Sequence, residues 1–203
     1  PGGIEVIGAP HKWLIGANWK LPVENQLGDI GHAPYLHGSS TGAAPEAIKE
    51  IEDYGLTVVP RAGHSAALRY LPEGTDPAQI AWSLDGRTPP HIAEYLLGVQ
   101  AKVAERLSPE QARIKGMRLG VYPNFSVLVG NSTIRVSHPR GPGKFECWSW
   151  WVTPADAPDD VKQMLRVSYN FFFGPGGLLE QEDSHAWSQQ FVGSSIEALN
   201  GTP

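Results

Sequence analysis

The chain has 203 residues, enough for one large domain or a sizeable piece of one, and its 41% hydrophobic and 18% charged residues are those of an ordinary globular protein. A net charge of −5 without a clustered excess of Lys and Arg argues against a nucleic-acid partner, and no apolar run nears the ~20 residues that span a bilayer. Cys147 is the single cysteine, which excludes an internal disulfide or a cysteine-ligated zinc or iron–sulfur site and makes the cytoplasm the expected compartment.

The opening runs IEVIG and KWLIGANW, split by Ala9-Pro10, read as two strands. A helix is expected from Pro22, with Glu24 near its N-terminus, and a short acidic helix over residues 45–54. LTVVP and SAALRYL read as strands, and residues 90–107 carry apolar side chains at helical spacing, with a further helix restarting at Ser108-Pro109-Glu110. Four strand-like runs follow, RLGVYP, FSVLVG, STIRVSH and FECWSWWVTP. Their separators, Pro-Asn, Gly-Asn and Gly-Pro-Gly, predict an antiparallel meander. Residues 158–172 read as a helix, broken by Gly174-Pro175-Gly176-Gly177 before a last helix in LLEQEDSHAWSQQFV. The fold class expected is α+β, an antiparallel sheet with flanking helices, as one domain over residues 1–203. Because the chain opens at Pro1 rather than Met, it is expected to be part of a longer protein.

The run from Ala17 to His37 places Glu24, Asn25, Asp29, His32 and His37 along one helix-like stretch. Burying so many polar groups is unfavourable unless each finds a partner, and a metal ion is a candidate. On a helix Asp29 and His32 lie ~60° apart, whereas His37 is ~140° from His32. Pro34 is expected to end or kink the helix and let the imidazoles converge. Two imidazoles and one carboxylate with open positions form the triad of non-haem Fe(II) oxygenases. Asp183, after the Gly-Pro elbow, is the candidate carboxylate; a helix cap is the alternative for it, and a cap and a surface residue for the histidines. Glu182 is adjacent, but neighbouring helical side chains diverge by ~100°, so one of the two should face a metal.

The order N-W-K-x3-E-N-x3-D-x2-H-x4-H, together with FFFGPGGLLEQEDSHAW, VYPNFSVL and RVSHPRGPGKFECWSWWVTP, resembles the catalytic domain of Rieske non-haem iron aromatic ring-hydroxylating dioxygenase α subunits, from about Gly3 to Val192. The resemblance implies a helix-grip, Bet v1-like fold holding mononuclear Fe(II) on His32, His37 and Asp183. Asp29 would accept a hydrogen bond from His32 and pass toward a neighbouring subunit's Rieske cluster. Asn25, Gln26, Ala33, Leu128, Phe173 and Leu179 would line the substrate pocket, with Trp187 behind them. It further implies cis-dihydroxylation of an aromatic, polycyclic hydrocarbon with O2, with electrons from NAD(P)H through a reductase and a ferredoxin, in a homotrimer of α subunits with or without β subunits. The chain lacks Cys-x-His and Cys-x2-His, so the Rieske [2Fe-2S] domain is expected in a missing N-terminal part. Two other classes are a hydrophobic-ligand-binding helix-grip domain and a mononuclear zinc hydrolase.

Elsewhere, His64, His91 and His138 are expected not to be ligands, and His11, in a turn, and His185 to be exposed. Trp148, Trp150 and Trp151 read as core packing with Trp151 on the opposite face, Cys147 as a buried thiol, and Gly174 to Gly177 as an elbow.

Overall fold

The computed structural model describes residues 2–29, 31–38, 55–59, 62–70, 89–129 and 132–196. The helix expected at 45–54 lies outside them. The strands are β1 (Ile4–Val6), β2 (His11–Ile15), β3 (Gly55–Val58), β4 (Ser65–Tyr70), β5 (Ile114–Val121), β6 (Phe125–Leu128), β7 (Thr133–Pro139) and β8 (Phe145–Pro154). The helices are α1 (Lys20–Gly28), α2 (His32–Leu36), α3 (Pro90–Ala104), α4 (Pro109–Ala112), α5 (Asp159–Phe173) and α6 (Leu178–Ser194).

Among the described residues all strand pairings are antiparallel. β3 through β8 lie side by side in chain order, and the free edge of β8 takes both N-terminal strands end to end, β2 against its first half and β1 against its second. The α+β arrangement and the meander are as expected. Short turns can join only strands that neighbour each other, which is why the four late runs pair in sequence.

Alternation along β7 and β8 runs opposite to a simple apolar-in rule. The buried side chains of β7 are Thr133, Arg135 and Ser137, while Ile134 and Val136 face the other way, half-buried. In register beside them β8 buries Cys147, Ser149 and Trp151. This inner face is therefore rich in polar atoms, and they are partly satisfied by the helices over it. Arg135 Nη1 lies 2.6 Å from Glu180 Oε2, and Nη2 donates to the carbonyl of Phe173 at 3.0 Å. Tyr169 donates to Ser149 at 2.9 Å. Burial opposes the Arg135 charge, but the Glu180 carboxylate more than offsets it and raises the pKa. One arginine thus ties β7 to the end of α5 and to the first turn of α6.

Between those helices lies the elbow. A Cβ on Gly177 would sit 2.6 Å from the backbone of Phe172, so close approach of the chain to itself demands glycine there. Apolar packing is divided among three groups: Ile15, Ala17, Phe145, Cys147 and Trp187; Leu128, Trp151, Tyr169 and Phe173; and Ile92 of α3 with Ala157 and Val161.

Two expectations change. Trp151 is in the core, but Trp148 and Trp150 form a half-buried ladder on the outer face, with His138 edge-to-face against Trp148 and Lys12 over it. Period-two alternation in β8 leaves room for one of the three on the inner side. His11 begins β2 rather than a turn, and its ring packs on Tyr169 at 5.4 Å, because pairing with Ser149 carries it over the sheet.

Candidate metal centre

The segment bearing the two histidines starts as a helix at Lys20, whose N–H the Asn18 side chain accepts, two residues earlier than the start expected at Pro22. The helix ends at Gly28, and Asp29 leaves helical geometry with ψ 71°. The Asp29 carboxylate then accepts the N–H of His32, the first residue of α2, at 3.0 Å. α1 thus ends at Gly28 and α2 runs through Pro34 from His32, so the helix does not break at Pro34, a correction to the sequence reading. Pro34 stands third in α2, as Pro22 stands third in α1, within the first turn where no intrahelical N–H bond is lost.

His32 opens α2 and His37 closes it, donating its N–H to the Ala33 carbonyl. The imidazoles stand edge to face, centroids 5.4 Å apart. Between them comes Asp183 from α6: its Oδ1 is 3.6 Å from His32 Nε2 and 3.4 Å from His37 Nε2. Asp183 is the sixth residue of α6, beyond the reach of a capping role, so that alternative is removed.

What holds the rings fixes their protons. His32 Nδ1 lies against the backbone carbonyl of Asp29, and His37 Nδ1 lies 2.7 Å from Glu182 Oε2. Both partners can only accept, so both Nδ1 atoms carry hydrogen and both Nε2 atoms turn lone pairs toward Asp183. Three lone-pair donors facing one another repel unless a cation lies among them. His32 Nε2 and Asp183 Oδ1 are buried and have no hydrogen-bond partner among the described residues. Ligand atoms ~2.1 Å from one ion lie about 3.0–3.5 Å apart at angles of 90–110°, close to the separations here. The donor atoms of His32, His37 and Asp183 all lie within 4.8 Å of one another. The set fits a divalent ion.

Burial lowers the pKa of His32, outweighing the attraction of Asp183, and Arg118 on β5 lowers it further. Burial acts in the same sense on His37, but Asp183 and Glu182 more than offset it and raise the pKa.

Other expected site residues fall as follows. Asp29 holds His32 through its carbonyl rather than its carboxylate, which is 3.8 Å from Nδ1 and 54% exposed. Leu128 and Phe173 join one apolar cluster with Leu179 packed against it; Ala33 and Gln26 are buried, and Asn25 is half-buried. Trp187 is buried against Phe145. His64 accepts from the backbone of Tyr122, His91 pairs with Asp160, and His185 is exposed; none is in the metal group. Glu182 and Arg118 were not foreseen. The signal for Glu182 was there, since a metal-bound imidazole commonly donates its second N–H to a carboxylate.

The family model for the ring hydroxylating alpha subunit (catalytic domain) matches residues 6–201. The chain belongs to this family. It is 34% identical over 197 residues to the benzene 1,2-dioxygenase subunit alpha of Pseudomonas putida, covering 91% of this chain and 42% of that relative. The naphthalene 1,2-dioxygenase large oxygenase component of Pseudomonas fluorescens is 32% identical, with 90% and 41% covered. Among solved structures, a naphthalene 1,2-dioxygenase mutant bound to phenanthrene superposes with a TM-score of 0.81 at 25% identity, covering 99% of this chain and 46% of that one. The Rhodococcus sp. naphthalene 1,2-dioxygenase bound to indole gives 0.73 at 27%, covering 100% and 47%. The chain therefore spans less than half the length of these ring-hydroxylating relatives. Among the described residues no helix is long and apolar enough to cross a membrane.

Proposed function

We propose that residues 1–203 form the mononuclear iron domain of an aromatic ring-hydroxylating dioxygenase, with Fe(II) on His32, His37 and Asp183. The reaction is cis-dihydroxylation of an arene, using O2 and electrons that pass from NAD(P)H through a reductase, a ferredoxin and a Rieske [2Fe-2S] cluster on another part of the assembly. The observation that carries this reading is the convergence of three lone-pair donors, two of them without hydrogen-bond partners among the described residues, in a chain of this family.

Iron bound there supplies the activation of dioxygen. The chain's own residues do the rest. Glu182 and the Asp29 carbonyl keep hydrogen on the two Nδ1 atoms and so hold each Nε2 ready as a donor. Leu179 stands one turn before Asp183 on the same face of α6, which aligns the apolar cluster of Leu128 and Phe173 with the metal side as a wall for a flat ring. Such a wall excludes water and orients the ring. Asp29, exposed yet bonded to His32, is the group assigned to connect the metal with an electron donor across a subunit contact.

Metal analysis and oxygen uptake on the full-length protein test this. Iron with arene-dependent uptake is expected; zinc with ester or amide hydrolysis, or arene binding without any metal, would sink it. Asp29→Asn keeps this hydrogen bond, since Asn also accepts the His32 N–H. It should therefore leave iron content unchanged while slowing product formation, and an unaltered rate would remove Asp29 from the electron path.

A further inference from the structure

A small cavity, open at its mouth, lies between α1 and the inner face of the sheet, with Trp187 of α6 in its wall. Its walls include Gln26, Arg135, Ser137, Phe145, Cys147 and Trp187. Trp187 follows Asp183 by four residues on α6, so at 1.5 Å rise per residue this wall stands about one helical turn, roughly 6 Å, from a member of the metal group.

A cavity shaped for a pure hydrocarbon would have apolar walls. This one has two polar side chains that are almost fully buried, Gln26 at 5% and Arg135 at 4% exposure. The amide Oε1 of Gln26 and the Nε of Arg135 each have no hydrogen-bond partner among the described residues. The Nη atoms of Arg135 are engaged by Glu180 and by the Phe173 carbonyl, so Nε is its one nitrogen without a partner among the described residues, and Glu180 already balances its charge. The wall thus offers one donor and one acceptor without net charge. A carboxylate would leave its own charge unmatched, and a bare arene would leave both groups unpaired. A hydroxyl can accept from Arg135 and donate to Gln26 at once.

We propose that this cavity is the subsite for a neutral oxygen group on the substrate, and that the ring oxidised at the metal carries a hydroxyl held by Gln26 and Arg135. This rests on the dioxygenase reading above and names its substrate class. A site built to bond a hydroxyl discriminates strongly against the analogue lacking it, because buried polar groups are then left without partners.

The test uses the full-length, metal-loaded protein, with equilibrium binding of 2-naphthol, naphthalene and 2-naphthoate as probes. Expected is at least about tenfold tighter binding of 2-naphthol than of naphthalene, with Gln26→Leu collapsing that ratio toward unity by weakening 2-naphthol. The wild-type comparison stands alone should the variant fail to fold. Naphthalene binding as well as 2-naphthol would overturn the proposal, by showing that the two polar groups serve water alone. Tightest binding of 2-naphthoate would overturn it in favour of an anion site. Either result leaves the dioxygenase reading intact if arene-dependent oxygen uptake persists; absence of both arene binding and uptake would remove both.

Discussion

Glu180 and Asp183 stand three residues apart on one helix, ~60° around it, and both are almost wholly buried. Their surroundings differ. Glu180 meets the guanidinium of Arg135 at 2.6 Å, while Asp183 meets two imidazole nitrogens at 3.4 and 3.6 Å, each of which turns a lone pair toward it. The first carboxylate has its counter-charge inside the fold. The second faces groups that cannot donate to it unless protonated. A buried acid whose counter-charge is a side chain of the fold organises structure; one facing only other lone-pair donors is suited to holding a cation.

That contrast is most easily broken at the metal group. His32→Ala, His37→Ala and Asp183→Ala should each abolish iron retention while leaving a folded protein, measured as metal per chain alongside circular dichroism. Iron retained by Asp183→Ala would place the metal elsewhere. The structural carboxylate should respond the opposite way: Arg135→Met strands the Glu180 charge and should destabilise by roughly 3–5 kcal/mol in denaturant unfolding. Adding Glu180→Gln to it should restore much of the loss, since a neutral pair leaves no isolated charge. Equal destabilisation of the single and double variants would contradict the pairing.

A finer test concerns Glu182, which shares neither role but steadies His37. Glu182→Gln keeps the size and weakens the hold on the imidazole, and should lower metal affinity about 10- to 100-fold in chelator competition. Unaltered affinity would make Glu182 incidental. The smallest effect is expected at Cys147. Burial pushes its thiol up to about 12, the nearby Arg135 opposing but not reversing this. Neutral thiol is then the form present throughout neutral and mildly alkaline pH, and thiolate accumulates only as pH approaches that value. Iodoacetamide at pH 8 should leave the folded protein unlabelled and label it after denaturation.

Much of this was legible along the chain. The β5–β8 meander followed from turn residues between strand-like runs, and the division of the C-terminal segment into two helices from the glycine elbow. The residues His32, His37 and Asp183 could be picked out because a long motif carried them. Pro34 was misread because proline breaks a helix interior yet is at ease in a first turn, and nothing local says where that turn begins. The inner face of β7 was likewise hidden: alternation reports that Ile134 and Val136 share a side with each other and Arg135 does not, but which side is covered depends on helices arriving from 40 residues later.

Period, turn chemistry and residue type are local properties, and they settled which elements exist and which side chains are able to bind a metal. Tertiary packing alone settled which donors meet, which carboxylate is neutralised by Arg135 and which polar atoms are left facing a cavity. The reason is that pairing energies depend on separations of a few ångströms between residues more than a hundred positions apart, as with His37 and Glu182.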